Sequence, residues 1–480
     1  MNLIFLWSWM ITIGIGMFQM GYCNVMFSSF LDILHNQHDV KANSYIKNEN
    51  DFNSVITTAV PVGAALGAFT GGIIASIGRR EGIILINFLL CVGTAITMIL
   101  DFFALLIGRL IVGYSVGVLS VLTPLFISEV SPVELSGPLG TLSQIMCTVG
   151  IMIGYFMGYL APLKLTPEGK ENPAILSTNS WRYVFIIPGI IAITHSLLLL
   201  FVFKYDTPKY YRQVGNEVMA RKVELEIDPD IHQKNNLPKK EVEKEEKVPV
   251  SKHCSPLFRW ALVIGCLLAA FQQLTGINVV IFYSNKVFVS GSVPGRQTYN
   301  DLVEARTGTM IVGIVNWAAT MVTIPLLGRL GRKVLLLIGH TGMLVSLVAL
   351  GICAVFNDNM LIILFTVTFI AFFEIGVGSV LFLYAAEIMT EIGISMALVV
   401  CWSLTILISL ITPRMILCLG QKGLYFMFAG INIVGWLFIL FFVKESKGKS
   451  KEELKMLYSS EVEYKYEMKE MSDEKHPKDY

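Results

Sequence analysis

The densest group of polar side chains within an apolar stretch lies in FQQLTGINVVIFYS, residues 271–284. Its amide and hydroxyl groups are carried by Gln272, Gln273, Thr275 and Asn278. Such groups both donate and accept hydrogen bonds, which suits a neutral, polyhydroxylated ligand. On a straight helix Gln273 and Asn278 would point about 140° apart, but Gly276 allows a break that turns both inward. The segment predicts a hydroxyl-binding site; the alternative is that these amides hold neighbouring helices together.

Three more polar residues lie in the middle of apolar segments: Gln144, Asn316 and Glu374. An unsatisfied polar group in lipid costs several kcal/mol, so each needs a partner or a wet cavity. Aromatic faces that could cover the C–H face of a ring are offered by Phe373, Phe382 and Trp402. Taken singly, each aromatic residue is more typical of packing than of ligand contact.

The amino-acid composition indicates whether these residues lie in a soluble protein or in a membrane protein. The 480-residue chain is 54% hydrophobic and 15% charged, with a mean hydropathy of +0.63, which excludes a soluble enzyme. A formal net charge of +1 provides no basic field for nucleic acid. The eight cysteines lie mostly in apolar stretches, where a thiol behaves as a small hydrophobe. We expect no disulfide framework, no metal site and no cofactor.

The apolar residues are grouped into long segments, and a helix needs about 20 of them to span a bilayer. Twelve segments meet this requirement, at residues 3–30, 54–76, 82–100, 103–130, 135–162, 183–203, 257–289, 307–327, 334–355, 361–389, 393–419 and 423–443. The first lacks a basic leader and a cleavage site, so we interpret it as a spanning helix and not as a signal peptide. The prediction is an all-α membrane protein with twelve transmembrane helices.

One long polar stretch divides the chain into similar halves. Six spans lie in residues 1–203 and six in 257–443, separated by a charged, partly helical linker at 204–256 and followed by a tail at 444–480. The Lys and Arg residues concentrate in the linker, the tail and two short loops, which predicts that both termini are cytoplasmic.

Charged landmarks repeat between the halves. IGRREG at 77–82 and LGRKVL at 330–335 are separated by 331 − 78 = 253 residues, from glycine to glycine. Glu129 and Glu387 each end a span, 387 − 129 = 258 residues apart. The pattern indicates a duplicated six-helix unit, the arrangement of many alternating-access carriers.

Several motifs occur in an order and spacing that resemble the sugar porter family of the major facilitator superfamily, and most closely the facilitative hexose transporters. They are GRLIVGYSVGVLSVLTPLFISEVSP at 108–132, the segment around Gln144, the Trp181–Arg182 pair, DTPKYY at 206–211, QQLTGIN at 272–278, GRLGRK at 328–333, FFEIGVG at 372–378 and ESKGKS at 445–450. The resemblance extends over essentially all twelve helices and implies the major facilitator fold.

The resemblance also implies a function and a set of roles. It implies a monomeric carrier whose two halves rock about a central hexose. The sugar-hydroxyl ligands would be Gln144, Gln272, Gln273, Asn278, Asn316 and Glu374, with Phe373 beside them. Phe282 would lie near an exterior gate. A cytoplasmic salt-bridge network would contain Arg79, Arg80, Glu129, Arg332 and Glu387.

Some positions depart from the family's pattern. Ser136 stands where the family has Arg, and TEIGIS at 390–395 also lacks an Arg. We therefore expect inward-facing conformations to be more populated than in a typical member. Phe382 replaces the usual Trp and GVGSVLF at 376–382 lacks the family's prolines, so the tenth span is expected to bend differently.

A further departure bears on energy coupling. Proton-coupled relatives have an Asp after the Gly-Tyr pair of the first span, near an Arg of the fourth span. Here GYCN places Cys23 at that position, near Arg109. A thiol with an ordinary pKa near 8.5 is neutral at physiological pH, which predicts passive uniport, with proton symport as the alternative.

Other functions stay open on the sequence. The polar site determines hydroxyl recognition better than stereochemistry, so a polyol, pentose or other small hydroxylated solute is an alternative to hexose. A non-transporting sugar sensor of the same fold would need a signalling extension, and the tail is short. No paired catalytic spacing occurs among the spans, so we do not expect an enzyme. The plasma membrane is the expected location.

Overall fold

A computed structural model describes residues 3–37, 49–132, 135–227, 256–290, 298–356, 359–389, 391–449, 453–454 and 457–458. In this part of the chain the secondary-structure elements are helices. Ten helices are long and apolar enough to cross a membrane, and a bent pair supplies an eleventh span. Glu391–Phe442 is divided at Gly420, where φ is 65° and ψ is 174°, and this division gives the twelfth. The all-α, twelve-helix prediction is confirmed.

The spanning helices are numbered in chain order. They are α1 Leu3–Val25, α2 Glu49–Ile77, α3 Arg79–Thr97, α4 Phe102–Val130, α5 Ser136–Met157, α6 Ser180–Phe201, α7a Pro256–Leu274, α7b Ile277–Ser290, α8 Tyr299–Leu330, α9 Arg332–Phe356, α10a Asn359–Phe373, α10b Ser379–Ile388, and α11 and α12 on either side of Gly420. Short helices lie at Leu31–Gln37, Ala174–Ser177, Pro208–Gln213 and Glu217–Ile227. The last two lie in the described part of the linker, and residues 228–255 lie outside the described chain.

Some predicted boundaries were wrong, for local reasons. The first span was expected to end at residue 30, but α1 stops at Val25 and the chain turns before the next short helix. The eighth was expected to start at 307, but α8 begins at Tyr299. Thr298 and Asp301 form a reciprocal capping box at that point, which supplies the helix with a start two turns earlier.

The seventh helix is broken where the sequence predicted. Gly276 has φ +91°, a left-handed conformation that suits glycine, and α7a and α7b meet at 44°. A side chain at this position would also meet the Phe428 ring at 2.9 Å. The break therefore depends on glycine for both backbone conformation and space.

The tenth helix is interrupted without proline. Residues Glu374–Gly378 form a π-helical turn in which Gly376 has φ −99° and ψ −110°. On α9, a Cβ at Gly339 would lie 2.5 Å from the Gly376 Cα, so the two backbones are in close contact. Extra-residue turns of this kind occur often at functional sites, and this one replaces the prolines that the sequence lacks.

A buried polar pair recurs in the two halves and supports the duplication. In α3 and α6, the Asn87 amide lies 3.2 Å from His195 Nδ1. In α9 and α12, the Asn432 amide donates to the main-chain oxygen of His340 at 3.0 Å. His340 follows Asn87 by 340 − 87 = 253 residues, the same offset as the glycines of the repeated loops. Asn and His have exchanged places, while a polar contact between the third and sixth helices of each half is retained.

The halves meet along two pairs of helices, α2 with α11 and α5 with α8. We call the end of the bundle where α6 leads into residues 204–256 the linker end, and the other the opposite end. The ends of α2, α4, α8 and α10b lie at the linker end, as do the starts of α3 and α9. This arrangement places the two repeated charged loops on the same side of the bundle.

Candidate functional site

The amides of the seventh helix form one connected cluster. Asn278 Nδ2 donates to Gln273 Oε1 at 2.7 Å, and Gln273 Nε2 donates to Gln272 Oε1 at 3.0 Å. Gln273 precedes the break and Asn278 follows it, so this contact exists because the helix turns at Gly276. The break therefore brings into contact two side chains that a straight helix would point about 140° apart.

Two neighbouring helices complete the amide cluster. From α11, the Thr405 hydroxyl donates to Gln273 Oε1 at 3.1 Å, and the Cys401 thiol approaches Gln272 Oε1 at 3.6 Å. From α10, the main-chain oxygen of Val377 accepts from Gln272 Nε2 at 3.2 Å. Thr405 and Cys401 were not predicted; a single Thr or Cys in an apolar helix is too common to be selected from sequence.

A second cluster surrounds the buried carboxylate of Glu374 at the π-turn. Its Oε2 accepts from Gln144 Nε2 at 3.2 Å, from Thr320 Oγ1 at 3.2 Å and from Ser379 Oγ at 3.3 Å. Gln144 belongs to the first half and the other residues to the second. The cluster therefore joins the halves in the middle of the bundle, as a site between repeats requires.

The other predicted ligand positions differ in how closely they approach these clusters. Asn316 is buried in α8, one turn before Thr320 and on the same helix face. Phe373 is buried next to Glu374, and Phe382 is half-buried against the main core. Trp402 packs instead against Ala64 and Ala68 of α2, so it lies at the contact between the halves.

Two buried polar groups near this contact lack a protein partner within the described residues. They are the side-chain amide of Gln19, which is 1% exposed, and Nε1 of Trp402. Met20, next to Gln19, packs with Trp402. Buried groups of this kind need a hydrogen-bonding partner, and a ligand hydroxyl or water would supply one. Gln19 was not predicted, although a Gln within the apolar first span was a signal that could have identified it.

At the linker end of the first half, a buried ion pair connects α3 to α4. Arg79 Nη2 lies 2.8 Å from Glu129 Oε1, and both side chains are about 5% exposed or less. The Thr207 hydroxyl donates to Glu129 Oε2 at 2.6 Å, and Gln213 accepts from Arg79 at 2.8 Å. The charges are paired and hydrogen-bonded, which buried charges require.

The second half repeats this arrangement. Arg332 Nη2 lies 2.6 Å from Glu387 Oε1, and the Ser446 hydroxyl donates to Glu387 Oε2 at 2.6 Å. Both ion pairs lie within a half, so in this structure they stiffen each half and do not connect the two. The side chains at 136 and 390–392, where the family's arginines are missing, lie outside the described residues.

A carboxylate caps the start of α3 and of α9. Asp206 accepts from the backbone N–H of Arg80 at 3.0 Å and of Thr207 at 2.7 Å. Burial raises the pKa of Asp206 to about 6, although these two N–H groups favour the charged form. Burial also disfavours the charge of Glu445, but its four backbone N–H donors, including those of Arg332 and Lys333, outweigh burial and lower its pKa. The two equivalent caps therefore have pKa values displaced in opposite directions.

Arg80 does not belong to the Glu129 ion pair, which corrects the predicted network. Its guanidinium donates to the main-chain oxygen of Leu199 at 2.9 and 3.0 Å, near the end of α6, and contacts Glu81. Lys333 does the same in the second half, donating to the oxygen of Leu440 at 2.9 Å. A cation near a helix C-terminus satisfies carbonyls that have no intrahelical partner. Each of these residues therefore ties a repeated loop to the last helix of its half.

Arg109, expected near Cys23, lies on α4 away from the linker-end ion pairs. Its Nε donates to the main-chain oxygen of Ile56 at 2.9 Å, and its guanidinium lies 4.0 Å from the centre of the Phe27 ring. Cys23 is close enough to interact with this charge. Without that carboxylate, the Arg109 guanidinium is contacted by a main-chain carbonyl and an aromatic face.

At the opposite end, polar and aromatic contacts hold the halves together. Phe282 of α7b lies 6.3 Å from Phe27, in the turn that follows α1, measured between ring centres. Nearby, Tyr155 donates to the oxygen of Ile281 at 2.9 Å, and Arg306 donates to the oxygen of Ala161 at 2.6 Å. Gln144–Glu374 in the middle of the bundle and these contacts at the opposite end join the two halves by hydrogen bonds.

Two six-helix halves around an amide-lined centre define a membrane transporter, and comparison with known proteins identifies its family. The family model described as sugar (and other) transporter matches residues 9–458, so the chain belongs to that family. In the described residues we find no group of three or more His, Cys, Asp or Glu side chains that could hold a metal ion.

Curated relatives match most of the chain. The glucose transporter GlcP of Staphylococcus epidermidis is 30% identical over 457 residues, covering 90% of this chain and 93% of the relative. Hexose transporter 1 of Toxoplasma gondii is 32% identical over 432 residues, covering 84% and 72%. Hexose transporter 1 of Plasmodium knowlesi is 30% identical over 415 residues, covering 82% and 81%.

Solved structures share the fold. The proton:xylose symporter XylE, a major facilitator superfamily protein bound to 6-bromo-6-deoxy-D-glucose, superimposes with a TM-score of 0.77 at 22% identity, covering 96% of this chain and all of that chain. The inward open conformation of XylE from E. coli gives 0.73 at 23% identity, covering 94% and 99%. The predicted major facilitator fold is confirmed.

Proposed function

We propose that this protein is a facilitative hexose transporter that carries a glucose-type sugar down its gradient by alternating access. The supporting observation is the pair of connected polar clusters, built on Gln273 and Glu374, that join residues of both halves. Relatives named as hexose and glucose transporters match most of the chain, which favours a hexose over another solute.

The clusters suit sugar hydroxyls because they are already hydrogen-bonded among themselves. A hydroxyl both donates and accepts, so it can replace a protein–protein hydrogen bond without leaving either partner unpaired. Gln273 Oε1, which accepts from Asn278 and Thr405, is one such position. Removing one ligand from a buried sugar hydroxyl costs about 1–3 kcal/mol, so several such contacts give both affinity and discrimination.

Alternating access would proceed by movement between the halves. We assign the linker end to the cytoplasm, together with both termini, because Lys and Arg concentrate there. The contacts of Phe282 and Arg306 then close the exterior side in this conformation. We propose that the functional unit is a monomer in the plasma membrane. Each half has its own linker-end ion pair, which holds the helices of that half together as the halves move.

Uniport follows from the environment of Arg109. Proton-coupled relatives have an Asp near this arginine, whereas Cys23 at this position is fully buried with a thiol in place of a carboxylate. The Arg109 charge is held by the oxygen of Ile56 and the Phe27 ring, and neither titrates. We therefore propose that sugar movement is independent of the proton gradient.

Counterflow in proteoliposomes tests the proposal. Vesicles loaded with unlabelled glucose should accumulate labelled glucose transiently, with competition by hexoses stronger than by xylose or inositol. Gln272→Ala and Asn278→Ala should lose most of this uptake while inserting normally, and the exposed Thr341→Val should not. Glucose addition to unbuffered vesicles should leave the external pH unchanged; sugar-driven alkalinisation would instead establish symport. Counterflow that is absent for every sugar would contradict a carrier function.

A further inference from the structure

A proline in α11 gives one carbonyl group of that helix a partner from another helix. Pro413 lies inside α11 and has no N–H, so the oxygen of Ser409, four residues earlier, loses its helical hydrogen bond. The hydroxyl of Tyr283, on α7b, donates to this oxygen at 2.9 Å. Ser409 is 0% exposed and Tyr283 is 2% exposed, so an unpaired carbonyl here would be costly. The bond therefore ties α7b to α11 without taking a donor from either helix.

The same device occurs in the first half. Pro188 lies inside α6 and frees the oxygen of Val184, which accepts from the Tyr22 hydroxyl of α1 at 2.9 Å. Each tyrosine thus ties the first helix of a half to another helix of the same half. The two contacts differ in the residue that supplies the oxygen. Valine has no side-chain hydrogen-bonding group, whereas the serine at the second contact has a hydroxyl that can bind a further helix.

The hydroxyl of Ser409 reaches the other half of the protein. Its single hydrogen is directed to carbonyls of its own helix, that of Thr405 at 2.7 Å and that of Ile406 at 3.1 Å. In its contact with Thr58 Oγ1 at 3.3 Å it is therefore the acceptor, and Thr58, on α2, is the donor. This distance exceeds the value of about 2.7–2.8 Å that is typical of hydroxyl groups, so the bond is weak and breaks on a small separation.

The same turn of α11 also contacts both sides of the break in the seventh helix. Thr405 donates to Gln273 Oε1 on α7a at 3.1 Å, and Ser409 accepts from Tyr283 on α7b. These contacts are four residues, or about 6 Å, apart along α11. α11 starts at the linker end, where α10b ends, so Ser409 lies nearer the opposite end than Thr405 does. One turn of helix therefore bridges the hinge at Gly276 and meets the first half on the exterior side of the amides.

We propose that Ser409 is a positioning residue that couples the angle of the seventh helix to closure of the halves on the exterior side. Its oxygen holds α7b and its hydroxyl holds α2. Both groups belong to one buried residue, so a displacement of α11 at this point changes both contacts together. The two contacts are made when the exterior side is closed and released when it opens, which is the two-state element that coupling requires. This inference rests on the proposed alternating access.

A double-mutant cycle on the unfolding temperature in detergent tests whether Tyr283 and position 413 compete for the Ser409 oxygen. Tyr283→Phe removes the donor and should lower the unfolding temperature by about 1–2 °C. Pro413→Ala supplies a helical N–H to the same oxygen. It should therefore raise the unfolding temperature more in the Tyr283→Phe protein than in the unsubstituted protein. Simple addition of the two effects would overturn the sharing of this oxygen.

The first half supplies a matched control. Tyr22→Phe and Pro188→Ala change the same chemistry at the oxygen of Val184, so they should show the same non-additive unfolding temperatures. Neither residue takes part in the contact between α2 and α11. These two variants should therefore leave the KM for external glucose unchanged.

The KM for external glucose tests the coupling, because it falls when a larger fraction of the protein has its exterior side open. Tyr283→Phe should lower this KM about two- to threefold. Adding Pro413→Ala should restore the unfolding temperature but not the KM, because α7b stays released. A folding defect alone would lower the uptake rate and leave the KM unchanged. The same KM in Tyr283→Phe and Tyr22→Phe would overturn the coupling.

Substitutions at Thr58 test the contact with the first half. Thr58→Val removes the donor and Ser409→Ala removes the acceptor, so each should lower the KM for external glucose by the same factor, and the double variant no further. Thr58→Ser keeps the hydroxyl and should keep the KM of the unsubstituted protein. Additive effects would overturn the role of the Ser409 hydroxyl. If the unsubstituted protein carried no sugar, the proposed function would fail, and the unfolding cycle would still decide whether the oxygen is shared.

Discussion

Gln144 Nε2 lies 3.2 Å from Glu374 Oε2, and this hydrogen bond joins the two halves of the protein at the middle of the bundle. The same carboxylate oxygen accepts from Thr320 and Ser379. One acceptor therefore holds three donors, from α5, α8 and the start of α10b. Any opening between the halves must stretch or replace the contact with Gln144.

Glu374→Ala should impair transport more than Glu374→Gln. Alanine removes the acceptor shared by Gln144, Thr320 and Ser379, and each donor left unsatisfied costs about 1–3 kcal/mol; Thr320 keeps the main-chain oxygen of Asn316 as an acceptor. Glutamine keeps one oxygen in nearly the same place. We expect initial glucose uptake, normalised to the amount of inserted protein, to fall at least tenfold with alanine and by a smaller factor with glutamine. Equal losses in the two variants would contradict a hydrogen-bonding role.

Gly276→Ala should inactivate the protein or prevent its folding. The substitution places a Cβ on a residue with φ +91° and brings it to 2.9 Å from the Phe428 ring. Such a backbone conformation costs a non-glycine residue about 1 kcal/mol or more. Gly72→Ala is the control, because a Cβ there meets no atom within 4 Å. Size-exclusion profiles and uptake should be lost or reduced for the first variant and unchanged for the second.

Arg306→Met should favour opening at the opposite end. It removes a charge-assisted hydrogen bond of 2.6 Å that crosses from α8 to the oxygen of Ala161. Bonds of this type contribute about 1.5–3 kcal/mol, so the closed form should lose roughly tenfold in population relative to the open one. Arg414→Met is the control, because Arg414 makes only an exposed, 3.4 Å ion pair with Asp51.

Cysteine labelling measures this opening. Thr58→Cys places a thiol at the buried contact of α2 with Ser409, and Cys418→Ser removes the exposed native thiol. The variant that carries Thr58→Cys and Cys418→Ser is treated with an impermeant maleimide from the exterior. The thiol introduced at position 58 should react faster when Arg306→Met is added to this variant. Equal labelling rates for Arg306→Met and Arg414→Met would argue against Arg306 as part of the exterior closure.

Asp206→Asn should change how stability depends on pH. Because the folded pKa of Asp206 is about 6, above its ordinary value of 3.8, the folded protein binds more protons than the unfolded chain between these values. Asp206 therefore contributes most stability at low pH, and that contribution is lost as pH rises towards and through 6. Arg79 attracts the charged form and Glu129 repels it, so both are kept unchanged in the test.

The measurement is the unfolding temperature in detergent at pH 5 and pH 7. Asparagine is neutral at both, so any advantage of the natural protein over Asp206→Asn should shrink or reverse as pH rises. Glu445→Gln is the matched control, because the pKa of Glu445 is lowered and its charge is present throughout this range. A difference between the natural protein and Asp206→Asn that is independent of pH would contradict the raised pKa.

The sequence predicted the fold well because each span is a long apolar segment and each charged landmark occurs twice. It also predicted a break at Gly276, because a straight helix would point Gln273 and Asn278 about 140° apart and a glycine between them allows the helix to turn. The partners of those residues were harder to predict. Thr405, Cys401 and Thr320 are small polar residues typical of any membrane helix, and only the packing of α8 and α11 brings them to the amides and the carboxylate.

Arg80 shows a second limit of sequence reasoning. It adjoins Arg79 and has the same side chain, so the two were assigned to one network. The helix geometry separates them, because successive residues at the start of α3 point about 100° apart. Arg79 therefore reaches Glu129 while Arg80 reaches the end of α6.

Both interruptions, at Gly276 and at Gly376, occur in the second half, whereas α1 and α4, which occupy the corresponding places in the first half, are continuous helices in the described chain. The duplicated units have therefore diverged mechanically as well as chemically. We therefore expect the first half to be the stiffer of the two, and local backbone rearrangement to occur mainly in the second half. Engineering of substrate preference should accordingly begin with substitutions along α7b and α10b, because each of these helices follows an interruption at which the backbone can change its angle.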